Sequence, residues 1–189
     1  MASRKHIDRH KVIEVSIALA DAHGLEAVTL ASVAEQLGIR IPSLYNHVSG
    51  LPGLRQEIAL WGVRQLAERL RRAAVGRSGG DAILSLAHAY RAFAHEHPGV
   101  YPATLRAAAP DEPELAAAGQ EIIDILLNIL QPYGFSPDDT LHVVRGLRSV
   151  LHGFVHLETV GGFGLSLNRD ESFRQLIQRF VNGISGARE

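Results

Sequence analysis

Ten histidines are this 189-residue chain's main stock of groups able to exchange protons near neutral pH. His152 and His156 stand four apart, so on a helix they share a face, and Glu158 follows closely. Two imidazoles and a carboxylate are donor types of a zinc hydrolase, and His88 is a further donor that folding could bring in. His95 and His97 make a second close pair. No stretch supplies three ligands at compact metal-site spacing, and the absence of cysteine excludes thiolate sites and disulfides. Glycine-rich phosphate loops, a nucleophile elbow, an HExxH helix and paired catalytic carboxylates are also missing from the sequence. The enzyme reading therefore reduces to an all-α metal-dependent hydrolase built on His152, His156 and Glu158, and neither a metal nor a cofactor is expected.

A different chemistry, hydrogen bonding to a polyanion, is written into Thr29–Val48, TLASVAEQLGIRIPSLYNHV. Thr29 can cap a helix over Leu30–Leu37, and Pro42 suits the first turn of another over about Ile41–Val48. Between them Gly38 can take the positive φ of a tight turn, and Ala34 is small enough for two helices to cross closely. Val33, Leu37, Ile39, Leu44 and Val48 would seal a core. Arg40, Ile41, Ser43, Tyr45, Asn46 and His47 are then left facing outward, able to reach phosphates and base edges in a major groove. An ordinary helical hairpin explains the apolar positions and Gly38 but gives Tyr45-Asn46-His47 no task. A helical protein-interaction module is a third reading. Arg4, Lys5, Arg9 and Lys11 form a short basic arm against Asp8, which is either a solvated terminus or a phosphate or minor-groove contact beside a DNA reader.

The elements that must position these residues are helical throughout. Hydrophobic residues make up 46% and charged residues 21%, as in a globular protein, while a net charge of −1 gives no global hint of nucleic acid. The N-terminus lacks the apolar run of a signal peptide, and no window reaches the length of a membrane span, so a cytoplasmic protein with no membrane partner is expected. Apolar periodicity and caps predict nine helices in an all-α fold: Asp8–His23, Leu30–Leu37, Ile41–Val48, Leu51–Val75, Asp81–Glu96, Tyr101–Ala107, Glu114–Leu130, Pro137–Thr159 and Asp170–Ile184. The seam falls near residue 50, giving domains 1–50 and 51–189. No internal repeat is evident.

Val12–Leu54 resembles the TetR/AcrR family of bacterial regulators. The matching features are Gly24, Thr29-Leu30, Val33-Ala34, Leu37-Gly38-Ile39 and Leu44-Tyr45-x-His47, in order and at family spacing. The resemblance implies a three-helix helix-turn-helix that binds double-stranded DNA at a palindromic operator. Ser43, Tyr45, Asn46 and His47 fall where the family contacts DNA, with Tyr45 and His47 on phosphates. Arg40, Ile41 and Pro42 lie at the start of the reading helix, and Ala31 and Ser32 on the supporting helix, which can also reach phosphate. Gly50-Leu51-Pro52 departs from the pattern, because the family's fourth helix usually starts with a phosphate-binding lysine. Either Arg55, one turn on, substitutes for it, or the affinity for DNA is lower.

The second half resembles the subgroup with a WHG-type regulatory domain. It does so through Leu151-His152-Gly153, Leu157-Glu158, Gly161-Gly162-Phe163 and Glu171-Ser172-Phe173, with leucine replacing the tryptophan. This implies a homodimer whose last two helices pack as a four-helix interface. The stripe Leu141, Val144, Leu147, Leu151, Phe154 and Val155 and the stripe Phe173, Leu176, Ile177 and Phe180 would meet there; equally, both stripes can fill the monomer's own core. Small Gly146 and Gly153, seven apart on one face, favour close helix contact. An effector pocket would lie among the helices after Leu51, lined from the set Trp61, His88, Tyr90, Phe93, Tyr101, Leu105, Leu126, His152, Phe154 and His156. The whole reads as a repressor released from DNA by a small molecule.

Overall fold

The computed structural model describes residues 7–186, and every regular element among them is helical. Among the described residues there are eight α-helices: α1 (Arg9–His23), α2 (Leu30–Leu37), α3 (Ile41–Leu44), α4 (Gly50–Ala74), α5 (Gly79–Glu96), α6 (Pro113–Leu130), α7 (Pro137–Thr159) and α8 (Arg169–Gly186). The predicted ninth helix, Tyr101–Ala107, is instead a 3-10 turn over Tyr101–Thr104. Helix nucleation is costly, and this short run closes with three-residue hydrogen bonds, Leu105 N–H to Pro102 O at 3.3 Å among them. Arg4 and Lys5 of the predicted basic arm lie outside the described residues.

Local signals account for the helix ends. The Asp8 side chain accepts from Lys11 N–H at 2.8 Å to start α1. Thr29 and Ser32 form a reciprocal capping box at the start of α2, each side chain accepting the other's backbone N–H at 3.0 Å. Gly38 ends α2 in the left-handed region at φ 70°, which lets the chain reverse into α3. Ser136 caps α7 and Pro137 occupies its first turn.

The chain divides into two compact units, each discontinuous in sequence. The first comprises residues up to Arg64 together with Glu96–Ala116. Its core holds Val12, Ala20, Val28, Val33, Leu44, Leu54, Ile58 and Val100, all 0% exposed. Gly99 is buried against the end of α1, where a Cβ on it would stand 1.7 Å from the Ala20 carbonyl oxygen. The Asp21 carboxylate closes the same junction. It accepts from Gly99 N–H at 3.1 Å and Val100 N–H at 3.2 Å, and bonds His97 Nδ1 at 2.7 Å. The Trp61 ring meets His97 edge-on at 5.0 Å.

The second unit comprises Gln65–His95 and the chain from Ala117 onward. Leu70, Ile83, Leu86, Phe93, Leu130, Leu147, Phe173 and Ile177 are its large fully buried side chains. Burying an aliphatic or aromatic side chain of this size contributes about 1.5–3 kcal/mol before entropy is counted. Among the described residues no helix is long and apolar enough to cross a membrane.

Candidate functional site

In the first unit, Ala34 is buried where α2 and α3 meet, and Leu44 and Val48 point inward. Ile41, Pro42 and Ser43 on α3 are exposed together with Arg40 just before it, and Ala31 is exposed on α2. Tyr45 is 61% exposed, Asn46 is exposed and His47 half-buried. The polar trio follows α3 instead of extending it. The α-helix stops at Leu44, and Asn46 N–H reaches Ser43 O at 3.4 Å while His47 N–H reaches Leu44 O at 2.9 Å, both three-residue bonds. Gly50 then turns the chain at φ 71° into α4.

Three further side chains near this surface are already engaged. The Ser32 hydroxyl donates to the Ala27 and Thr29 carbonyls, both at 3.0 Å, and serves the α2 cap. Arg55, the expected alternative to the missing lysine, donates from Nη2 to Glu26 Oε2 at 2.8 Å. Arg9 of the basic arm pairs with Glu57. An open cavity of about 470 Å³ lies beside Tyr45, Asn46 and His47, rimmed on its other side by Asp111–Leu115. The Glu112 carboxyl there is held down to about 2 by the Arg106 guanidinium and by the Ala109 N–H at 2.8 Å.

The predicted effector-lining residues divide between the units. Trp61, Tyr101 and Leu105 belong to the first; His88, Tyr90, Phe93, Leu126, His152, Phe154 and His156 belong to the second. Tyr90, Phe93, Leu126 and Phe154 are buried in the second unit's core, whereas His88 and His156 are exposed. Burial, with His156 and Arg148 nearby, pushes the His152 imidazole below its ordinary 6.5.

Of the predicted interface stripes, Leu147, Leu151, Val155, Phe173 and Ile177 are consumed by the second unit's own core, and Val144 is nearly so. Leu141 is exposed, and Leu176 and Phe180 are half-buried. Gly146 packs against Phe180, whereas a Cβ on Gly153 would meet nothing within 4 Å.

The hydrolase constellation does not assemble. The His152 and His156 rings lie 5.8 Å apart, but Glu158 turns away to accept from Arg91 Nε at 2.9 Å and Nη2 at 2.6 Å. It also bonds His95 Nε2 at 2.8 Å, and the Arg91 hydrogen bonds hold its carboxyl below the usual range. Residues two apart on a helix point to different sides, so Glu158 cannot follow His156 onto one metal. Among the described residues no group of three metal-ligating side chains converges. Sequence reading overlooked Arg91, whose available signal was a lone arginine inside the apolar run Ala89-Tyr90-Arg91-Ala92-Phe93.

The model of the tetracyclin repressor-like C-terminal domain matches residues 83–180. Over 185 residues the chain is 34% identical to YobS, an uncharacterized HTH-type transcriptional regulator of Bacillus subtilis strain 168, covering 97% of this chain and 96% of that protein. A second HTH-type regulator, Rv0681 of Mycobacterium tuberculosis, is 33% identical over 94% of this chain and 82% of its own length. Among solved structures, a TetR variant from Acinetobacter baumannii AYE in complex with minocycline superposes with TM-score 0.73. The identity is 20%, over 97% of this chain and 99% of that one, a likeness of fold.

Proposed function

Because the chain belongs to the TetR family of transcriptional regulators, we propose that it is a cytoplasmic repressor. In this reading it binds a palindromic operator as a homodimer and leaves it when a small molecule binds the C-terminal part. The observation that carries the reading is the outward face formed by Arg40–Ser43 and Tyr45–His47 over the inward-pointing Leu44 and Val48. That face offers a guanidinium, hydroxyls, an amide and an imidazole at the end of a short helix, the donor set for phosphates and base edges. Residues 1–50 are the proposed reading part and 51–189 the sensing and dimerising part. Two copies related by a two-fold axis would set their reading helices about 34–36 Å apart, one turn of DNA. Exposed Leu141 and the open face at Gly153 supply the proposed contact between copies on α7.

Release requires that the effector bind the DNA-incompetent arrangement more tightly, and the shift cannot exceed that difference in affinity. The Acinetobacter protein of like fold is solved in complex with minocycline, which supports a ligand-responsive reading. Glu158, paired with Arg91 and His95, disfavours the hydrolase alternative.

A gel-shift titration with the DNA upstream of the protein's own gene tests the reading. Tyr45→Phe and His47→Ala should each weaken retardation across sequences, and Tyr45→Phe, which removes a hydrogen bond and no charge, should leave the salt slope unchanged. A folded dimer that fails to retard this DNA at low salt overturns it.

A further inference from the structure

The second unit holds a basin, lined by charged side chains of both signs, that the reading face does not use. It is open, about 710 Å³ in volume, and walled by α5, the end of α7 and the start of α8. Arg91 lies at its floor with its side chain 12% exposed, the guanidinium carbon 5.0 Å from the Phe173 ring centroid and 5.6 Å from that of Phe154. Its two carboxylate partners differ sharply. Glu158, with its side chain 7% exposed, takes Nε and Nη2 in a two-pronged pair. Asp170, whose side chain is 80% exposed, takes only Nη1, at 2.8 Å. Exposed single-pronged pairs are worth little, so Asp170 is readily displaced while Glu158 stays. His88, His95 and Arg169 also line the basin, and Arg169 makes no ion pair among the described residues.

An apolar recess of about 210 Å³ adjoins the basin, and Leu167 and Arg169 line both. Phe154 and Phe163, with ring centroids 4.8 Å apart, form part of its wall, and Leu165 stands beside them. Leu165 and Leu167 are 80% and 70% exposed. Two large apolar side chains left wet next to a buried arginine are a poor arrangement for the empty protein and a good one for a two-ended ligand.

From this juxtaposition we propose that the Arg91 basin and its recess form a binding site for an amphipathic carboxylate. The acid group replaces Asp170 on Arg91 Nη1, with Arg169 beside it, and the apolar body lies on Phe163, Leu165 and Leu167. The proposal names the class of effector for the regulator described above. It rests on that reading for its effect on DNA, and not for the binding itself.

Isothermal titration of the full-length protein with octanoate, and with 1-octanol as the uncharged control, tests the site. Octanoate should bind once per chain and octanol should not. Asp170→Asn, which removes the competing charge at an exposed position, should tighten octanoate by about three- to tenfold. Leu167→Asp, equally exposed, should weaken it by about tenfold or more. Arg91→Gln should abolish it; because that change strands Glu158, the Arg91→Gln/Glu158→Gln pair is made as well and should also fail to bind. Octanoate binding that ignores both exposed substitutions, or that octanol matches, overturns the proposal. So does a Leu167→Asp protein that loses its dimer but keeps octanoate affinity, since the loop would then belong to a second copy. An octanoate-bound protein that still holds operator DNA leaves the site standing and removes the effector role. A protein that never binds the DNA removes the regulator reading alone.

Discussion

Replacing Gly99 with alanine should open the junction between the end of α1 and residues 97–100. The added Cβ would stand 1.7 Å from the Ala20 carbonyl oxygen, 2.1 Å from its carbon and 2.7 Å from Asp21 N. Carbon and oxygen in contact keep about 3.3–3.6 Å, so the two segments must part by at least about 1.6 Å. All three obstructing atoms are backbone, so no side chain can swing aside. The same parting would stretch the bonds from Gly99 and Val100 N–H to Asp21, now 3.1 and 3.2 Å, beyond hydrogen-bond range. Overpacking costs about 1–3 kcal/mol, and each bond to a charged acceptor contributes about 1.5–3 kcal/mol when dry, less here because the carboxylate is partly wet. A loss of about 3–5 kcal/mol follows, which in a protein of this size lowers Tm by roughly 6–20 °C. Gly119→Ala is the control. It lies inside α6 with nothing within 4 Å of its Cβ, so it should gain about 0.5–1 kcal/mol. Differential scanning calorimetry of the parent and both variants decides. If Gly99→Ala melts within about 2 °C of the parent, the close approach is not the constraint described.

Three other outcomes follow from the same geometry. Glu112, held near 2 by Arg106 against an ordinary 4.5, binds fewer protons folded than unfolded between those values. Its contribution is therefore present above about 4.5 and lost as pH falls towards 2, so the Tm gap between the parent and Glu112→Gln should narrow over that window. His152 is lowered from 6.5 chiefly by burial, so the unfolded chain binds the extra proton below that pH. Stability should fall with acidification through this range, and His152→Gln should flatten the slope in urea titrations at pH 5–7. Gly153→Arg meets open space within its own chain and should leave the melting of the second unit intact. If α7 carries the proposed dimer contact, sedimentation should show the monomer; an undiminished dimer places the contact elsewhere.

What could be read from the sequence was local. The Thr29 cap, the Gly38 turn, the Ser136-Pro137 start and the apolar spacing of α7 each act within one or two helical turns, and each element starts or stops where they indicate. The end of α3 was not legible, because whether Asn46 and His47 bond three or four residues back depends on packing beneath them. Tyr101–Thr104 has helical composition but too little length to extend past a single 3-10 turn. The pairs that organise each unit join distant positions, 78 residues apart for Asp21 and Gly99 and 67 for Arg91 and Glu158, and leave no periodic trace. Glu158 resembled a metal donor only because its distance along the chain from His156 was considered without its direction around the helix. The α7 and α8 stripes show the limit of amphipathicity, since one apolar face signals burial without saying whether this chain or a second copy provides the cover.

The order in which the first unit's parts are made has a consequence during synthesis. Asp21 leaves the ribosome 78 residues before Gly99, an interval of roughly 4–16 s at about 5–20 residues per second. Throughout that time residues 9–44 lack the buried Val100 and Ala103 against which the first unit closes, while α5, a member of the other unit, is produced in between. The first unit is thus completed only after α5 has been translated, and a chain cut short before residue 96 lacks that unit's second segment.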